Sequence, residues 1–310
     1  MRGILLPPAS SPAASYDEGR SRAHAIMALD DASIAPTART VLLEGGSRTP
    51  WCVVLLHGLT NHPGQFVEFA PQVHALGANV FVPRMPFHGY ADRMTNSIAG
   101  LTAEMLLEST YGAVDAAAGL GERVAVLGIS MGGLLCAHLA QYRADVTTSV
   151  PVAPDFGLLE FSRTITDLLT TLLLHLPNVF LWWDPRIKAA QRPATAYPRF
   201  ATHALMQTLR IGNAVYTAAR TMPPVAARIA TIVNAADPAV NNAETLETVT
   251  RWRARRADGI DYLELTNLPE NHDIIDPDNP LARTDLVYPK LIEILALSSF
   301  DSGASRLRSG

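Results

Sequence analysis

Cysteine is scarce in this chain, and neither sign of charge is in large excess. The 310 residues include two cysteines, Cys52 and Cys136, both within apolar stretches, so the sequence has no disulfide framework and no zinc-ligand spacing. The formal net charge is −4, with 25 Lys and Arg residues against 29 Asp and Glu residues. A chain without a basic excess lacks the electrostatic footprint of nucleic-acid binding. We therefore expect no nucleic-acid partner.

Long hydrophobic runs are also missing. The first twelve residues contain one arginine and a single short apolar run, Ile4–Leu6, which is too short for a signal-peptide core. The longest apolar stretch, 168–183, is interrupted by His175 and Pro177 and falls short of a membrane span. The sequence therefore predicts no membrane span and a cytoplasmic location.

Apolar runs alternate along the chain with amphipathic stretches, and 48% of the residues are hydrophobic. Strands are predicted at 40–45, 52–58, 78–86, 123–130, 146–154, 228–237 and 260–269. Helices are predicted at 16–31, 64–77, 101–119, 132–143, 243–256 and 286–297. This alternation is typical of the α/β class, with a doubly wound, mostly parallel sheet covered on both faces.

One long stretch, 155–227, breaks the alternation because it contains helical apolar sequence and no convincing strand. We expect it to be a helical cap, or lid, inserted into a core formed by 40–154 and 228–297. Residues 1–39 are predicted to be a partly loose extension, and 298–310 a disordered tail.

The first helix of the insertion carries an apolar stripe at spacings of three and four residues. Its members are Phe161, Ile165, Leu168, Leu172 and Leu176. Most of them are expected to pack on the sheet edge as core, while some turn towards a pocket. A pocket lined in this way would favour apolar acyl or alcohol groups.

A serine between two glycines follows the predicted strand 123–130. The sequence Gly128-Ile-Ser130-Met-Gly132 has the form of a nucleophile elbow, a tight strand-to-helix turn that exposes a serine. The pentapeptide alone is weak evidence, because Gly and Ser also gather in ordinary turns. Its interpretation depends on whether the chain supplies a base, an acid and an oxyanion site.

Four histidines, His138, His175, His203 and His272, follow Ser130 in the chain. An elbow serine takes its partners in the order serine, acid, histidine. His138 falls inside the helix after the elbow, and His175 and His203 fall in the insertion. His272 directly follows the last strand in a polar loop, so we predict that it is the base.

The acid should end an earlier strand. Asp237 follows the apolar run 229–233 and is our preferred candidate, although an aspartate there could simply cap a turn. Asp155, after the preceding strand, is the alternative. Asp273 adjoins the histidine and should point elsewhere.

An oxyanion site needs two backbone N–H groups. Met131 begins the elbow helix, where N–H groups are unpaired. The loop after the strand 52–58 should supply the other donor, from Leu59, while Gly58 lets the chain turn. His57 is expected to brace this loop rather than to act in catalysis.

Five motifs in this order resemble the α/β-hydrolase superfamily, in particular bacterial carboxylesterases and monoacylglycerol-lipase-like serine hydrolases. They are LLHGLT, VPRMPFHGYADR, GISMGG, NAADPAV and ENHDI, and the likeness spans about 40–297. The resemblance implies Ser130 as nucleophile, Asp237 as acid and His272 as base, with the amides of Leu59 and Met131 as oxyanion donors. The sequence departs from the His-Gly-Gly-Gly loop of hormone-sensitive-lipase relatives, which argues against bulky tertiary-alcohol esters.

These residues predict a carboxylic ester hydrolase that acts on a small-molecule ester with a small to medium apolar acyl chain, without a metal or cofactor. The same triad also fits an amidase, an aminopeptidase or a carbon–carbon bond hydrolase. A non-catalytic binding protein of the same fold is the least favoured alternative, because no triad member is missing. The sequence does not indicate an oligomeric state.

Overall fold

The structure is a computed structural model that describes residues 5–159, 161–185 and 196–300, with side chains as far as residue 295. Its main sheet has seven strands in the order β1-β3-β2-β4-β5-β8-β9. These strands are β1 (Val41–Leu43), β2 (Thr49–Leu56), β3 (Asn79–Val82), β4 (Gly121–Ile129), β5 (Val146–Val152), β8 (Arg228–Asn234) and β9 (Ile260–Leu265). Only the β1–β3 pair is antiparallel. The predicted doubly wound, mostly parallel α/β sheet is confirmed.

Helices follow the strands on both faces of the sheet. They are α1 (Tyr16–Met27), α2 (Phe69–Ala75), α3 (Ala103–Leu120), α4 (Met131–Tyr142), α5 (Arg163–Leu173), α6 (Thr202–Ala218), α7 (Asn242–Arg255) and α8 (Thr284–Phe300). Alternate residues of the central strands enter different apolar clusters, as Val53 and Val54 do in β2. Strands buried on both faces in this way need continuous apolar sequence, which explains the runs seen in β2 and β4.

The described residues before β1 make contacts from Ser11 onwards that a loose extension would not make. Ser15 caps α1 by accepting the N–H of Glu18, and Ala13 donates its N–H to the carbonyl of Asp115 at 2.9 Å. The N–H of Ser11 also donates to the Asp115 carboxylate. These contacts attach the N-terminal segment to α3.

The insertion at 155–227 contains α5 and α6, and also two short strands that the sequence pattern did not predict. The strands β6 (Phe180–Trp182) and β7 (Arg199–Ala201) pair with each other in a separate antiparallel sheet. With three residues each, they are too short for a period-2 pattern to be visible. None of the described residues of the insertion joins the main sheet.

The apolar stripe of the insertion lies on the surface, contrary to the expectation that most of it forms core. All five members of the stripe are between 41% and 65% exposed. The opposite side of α5 is buried through the threonines Thr166 and Thr170. The helix therefore turns its two threonines inward and presents Ile165, Leu168 and Leu172 outward. The half-buried Leu173 packs against the cluster that contains Met206 and Leu209. The predicted tail, 298–310, lies outside the described residues except for 298–300, where α8 continues to Phe300.

Backbone hydrogen bonds continue the ladder past the carboxyl ends of four neighbouring strands. The N–H of Ser130 donates to Val152 at 2.9 Å, and that of Ala153 donates to Ile232 at 2.7 Å. The N–H of Ala235, in the loop after β8, donates to the carbonyl of Leu265 in β9. The ends of β4, β5, β8 and β9 are thereby held side by side, at the edge where open α/β sheets bind ligands.

Candidate active site

Ser130 occupies a strained turn between β4 and α4. Its backbone has φ 58° and ψ −116°, and a residue other than glycine adopts positive φ only at a cost of about 1–3 kcal/mol. The turn is possible because α4 approaches the strands closely at two glycines. A Cβ on Gly128 would lie 2.5 Å from backbone atoms of Gly132, and a Cβ on Gly132 would overlap the carbonyl oxygen of Leu56. Steric contact with backbone atoms therefore requires glycine at positions 128 and 132.

Replacing Gly132 with alanine is expected to destabilise the fold by roughly 3 kcal/mol or more, because the new methyl meets backbone that cannot move away. The matched control is Gly112→Ala in α3, where no atom lies within 4 Å of the added Cβ. That change should stabilise the protein by about 0.5–1 kcal/mol, since alanine restricts the unfolded chain. Urea unfolding of the two variants measures the difference, and equal midpoints would contradict the steric argument.

Asp237 and His272 meet beyond the ends of β8 and β9. The Nδ1 of His272 lies 2.8 Å from Oδ2 of Asp237, whose side chain is fully buried. The other carboxylate oxygen of Asp237 accepts the N–H groups of Ala239 and Val240, at 2.8 and 3.2 Å. These bonds fix the carboxylate in place. An ionised carboxylate can only accept, so Nδ1 of His272 carries the proton and Nε2 is left as an acceptor.

The imidazole of His272 is subject to opposing electrostatic effects. Burial lowers its pKa, but the neighbouring carboxylate of Asp237 and the hydrogen bond to it act in the opposite direction and outweigh burial. Asp273 and Asp155 also raise it, so the pKa of His272 lies above its ordinary value. A quarter of the side chain is exposed, so a substrate can reach the ring.

Asp155, the alternative acid, lies at the same edge of the sheet but is not the hydrogen-bond partner of His272. Its pKa is raised to about 7, because burial, with a smaller contribution from the charge of Asp237, outweighs the opposing effect of His272. A carboxyl with such a pKa is only partly ionised at neutral pH. Of the two candidates, the structure pairs Asp237 with the histidine.

The other three histidines after Ser130 make contacts away from these residues. His138 is buried in α4, where its Nδ1 lies 3.4 Å from the hydroxyl of Tyr111, and burial lowers its pKa to about 3. His175 and His203 bond backbone carbonyls of the insertion. His272 is thus the one of the four that the structure joins to a candidate acid.

The loop after β2 lies beside Ser130. A Cβ on Gly58 would be 3.6 Å from the Cβ of Ser130, which places the adjacent N–H of Leu59 near the elbow. His57 is fully buried, and its Nε2 accepts the N–H of Met85, so its Nδ1 donates to the carbonyl of Gly58. Burial keeps the pKa of His57 well below its ordinary value. A neutral, fully bonded imidazole of this kind braces the loop, as the sequence suggested.

Asn234 is a residue of this site that sequence reasoning missed. It is the last residue of β8 and fully buried, and its side-chain amide donates to the carbonyls of Pro269 and Asn271, at 2.9 and 2.7 Å. The loop that carries His272 is thereby attached to the strand before Asp237. An asparagine at a strand end was the available signal, but asparagine is also an ordinary turn residue.

The insertion reaches the loop after β2 at Thr60, which has a positive φ of 67°. The backbone N–H of Tyr197 donates to the carbonyl of Thr60 at 2.9 Å, and the indole N–H of Trp183 donates to its hydroxyl at 2.9 Å. The hydroxyl in turn donates to the carbonyl of Leu59. Two residues of the insertion therefore hold Thr60 in its strained conformation.

Two kinds of feature are absent from the part of the chain that the structure describes. No cluster of three or more His, Cys, Asp or Glu side chains there is arranged to hold a metal ion. No helix in the same residues has the length and apolar character needed to cross a membrane.

A sequence model described as the alpha/beta hydrolase family matches residues 53–285, which is more than half of the chain. The chain belongs to the α/β-hydrolase family, and the resemblance inferred from its motifs is confirmed. No curated protein sequence matches the chain.

Solved structures with the same fold include lipases and esterases. A structure from LipS and LipT, two metagenome-derived lipolytic enzymes, is 18% identical, with a TM-score of 0.61 over 84% of this chain and 99% of that chain. The Paleococcus ferrophilus monoacylglycerol lipase is 17% identical, with a TM-score of 0.63 over 83% and 98%. A structure from work on carboxylesterases of Nitrososphaera gargenis is 16% identical, with a TM-score of 0.56 over 86% and 98%. At these identities the likeness shows the fold.

Proposed function

We propose that this protein is a serine hydrolase that cleaves carboxylic esters of small to medium apolar acyl chains through an acyl-enzyme. The observation that carries the proposal is the hydrogen bond of 2.8 Å between His272 and the buried Asp237, at the edge of the sheet where Ser130 occupies a strained elbow. Membership of the α/β-hydrolase family and the similarity in fold to lipases and esterases support it.

In the proposed mechanism, Nε2 of His272 takes the hydroxyl proton of Ser130 as its oxygen attacks the acyl carbonyl. Asp237 keeps the imidazole oriented and stabilises the imidazolium that forms. The N–H groups of Leu59 and Met131 stabilise the oxyanion of the tetrahedral intermediate. His272 then gives the proton to the leaving alkoxide, which departs as the alcohol. Water, activated by the same imidazole, releases the carboxylic acid from Ser130.

The insertion at 155–227 acts in this proposal as a cap on a core formed by 40–154 and 228–297. The support is its contact with Thr60, two residues after Gly58, which lies beside Ser130. Because Trp183 and Tyr197 reach this loop, the insertion stands next to the elbow. Its side chains are then candidates to bound the acyl group.

We expect kcat/KM to rise from acetyl to butyryl or hexanoyl p-nitrophenyl esters, and charged acyl groups to be poor substrates. Each methylene that leaves water contributes roughly 0.8 kcal/mol, or about a factor of four. Initial rates with a p-nitrophenyl ester series measure this profile. A flat profile, or a preference for charged acyl groups, would contradict the apolar acyl site.

Aminoacyl p-nitroanilides, measured with the same enzyme, separate ester hydrolysis from amide hydrolysis. We expect turnover of the esters and little or none of the anilides. Faster cleavage of the anilides would instead identify an amidase or aminopeptidase acting through the same residues.

A further inference from the structure

The side-chain amide of Gln65 connects two loops of the candidate site. Its Oε1 accepts the N–H of Gly58 at 2.9 Å, and its Nε2 donates to Oδ2 of Asp273 at 2.7 Å. Gln65 is 3% exposed, so the bond to Gly58 is buried and the bond to the half-buried Asp273 is partly buried. Hydrogen bonds at such sites, one of them to a carboxylate, are stronger and more costly to break than exposed ones.

Both ends of this bridge adjoin groups of the proposed mechanism. Gly58 precedes Leu59, the proposed oxyanion donor, and Asp273 follows His272, the proposed base. One side chain therefore links the peptide before the donor to the residue after the base.

The carboxylate of Asp273 is held by further partners, which makes it a fixed point. Its Oδ1 accepts the N–H groups of Ile275 and Asp276, and its Oδ2 also lies 3.3 Å from Nδ2 of Asn61. The same amide of Asn61 donates to Asp276 at 3.2 Å. Gln65 and Asn61 thus tie the loop after β2 to the loop after β9.

A primary amide is needed for the Gln65 bridge because it accepts at one end and donates at the other. An ionised carboxylate in its place could accept from Gly58 but would repel Asp273. The titratable groups around the bridge lie on three elements. They are His57 and His62 on the loop after β2, His272, Asp273, Asp276 and Asp278 on the histidine loop, and Tyr288 on α8. Burial, together with the charge of Asp273, raises the pKa of Asp276 to about 6.

We propose that Gln65 is a positioning residue that fixes the N–H of Leu59 relative to His272, so that oxyanion stabilisation and proton transfer operate in one geometry. This inference rests on the proposed function. Both groups act at the transition state, so a change in their separation should lower kcat while KM changes little.

The first test is Gln65→Glu, studied with a p-nitrophenyl ester across a range of pH. Above neutrality we expect kcat to fall by about tenfold to a hundredfold relative to the wild type, because small displacements of reacting groups have effects of this size. Repulsion from Asp273 raises the pKa of the new carboxyl. As the pH falls, protonation restores the donor, so the ratio of variant to wild-type kcat should rise. Gln65→Met, which adds no charge, should lower kcat with a ratio that is independent of pH.

Exchanging donor and acceptor provides a rescue. In Gln65→Glu combined with Asp273→Asn, the amide at position 273 can donate to the carboxylate at position 65, which still accepts from Gly58. We expect kcat to return to within about threefold of the wild type, as coupled sites do when their interaction is restored. The loss of kcat above neutrality should disappear, while the acidic limb of the pH profile moves to lower pH because the charge of Asp273 no longer raises the pKa of His272.

Gln141→Glu is the matched control. Gln141 is 2% exposed and also bridges two segments, since it donates to the carbonyl of Pro223 and accepts from the indole of Trp252. We expect a lower Tm and a kcat ratio that does not vary with pH. Circular dichroism checks that every variant is folded.

The outcomes separate this inference from the proposed function. If the wild type hydrolyses esters and kcat of Gln65→Glu follows the same pH profile, only the role of Gln65 is overturned. The role of Gln65 is also overturned if kcat of the double variant does not recover while kcat of Gln65→Met equals that of the wild type. A wild type that neither hydrolyses esters nor reacts with a fluorophosphonate overturns the proposed function and this inference with it.

Discussion

Replacing Ser130 with alanine is expected to abolish labelling by a fluorophosphonate probe and to lower kcat for ester hydrolysis by roughly a millionfold, as loss of the nucleophile does in serine hydrolases. The reason is that no other hydroxyl occupies the elbow between β4 and α4. Residual turnover above water can survive through the oxyanion donors. Mass spectrometry of the labelled protein, with the site located in a peptide, measures the first effect, and initial rates measure the second.

The fold should survive this substitution, because alanine removes a single oxygen and retains the Cβ. Equal unfolding midpoints in urea for the variant and the wild type provide the control. Labelling that persists unchanged in Ser130→Ala would mean that another residue is the nucleophile, and the assignment of Ser130 would then be wrong.

Asp237→Asn is expected to lower kcat by about three to four orders of magnitude, because the imidazole loses its orienting charge and can adopt the wrong tautomer. Asp237 also raises the pKa of His272. A base must be unprotonated, so the acidic limb of the kcat/KM profile should move to lower pH in this variant. A profile measured with one ester substrate gives both quantities.

The comparison variant for Asp237→Asn is Asp155→Asn, since both aspartates lie at the ends of neighbouring strands. The charge of Asp155 raises the pKa of His272, so its removal should also move the acidic limb to lower pH. The maximal kcat should change far less, because Asp155 is not the partner of the imidazole nitrogen. The reverse ranking of the two kcat values would mean that the acid belongs to β5.

The sequence was most informative where one local pattern determined the structure. Strands buried on both faces require unbroken apolar runs, and those runs located the central strands β2, β3, β4, β5 and β8 of the main sheet. The elbow was visible because steric contact with Leu56 demands glycine at position 132. The two strands of the insertion were missed, since three-residue strands are defined by the partner with which they pair. The α5 stripe was misjudged because amphipathic spacing identifies an apolar face without showing which way it points.

For the candidate site, the order of motifs along the chain led to the pair Asp237 and His272, which the structure joins by a hydrogen bond, but it did not predict what holds their loops in place. The choice between Asp237 and Asp155 needed the hydrogen bond to His272. Asn234 and Gln65 could not be chosen from sequence, because an amide side chain has no periodicity and its partners lie on other loops. Long-range hydrogen bonds between polar side chains depend on the tertiary fold.

The attachment of Thr60 to the insertion affects the order in which parts of the chain can fold during synthesis. Trp183 lies 123 residues after Thr60. The loop after β2 therefore leaves the ribosome long before Trp183 and Tyr197 have been synthesised. The strands β1 to β5 and the serine elbow precede those two residues as well. A nascent chain can therefore assemble the turn at Ser130 while Thr60 is still free to leave its strained conformation. Thr60 becomes fixed only after the insertion has been translated and has packed against the loop.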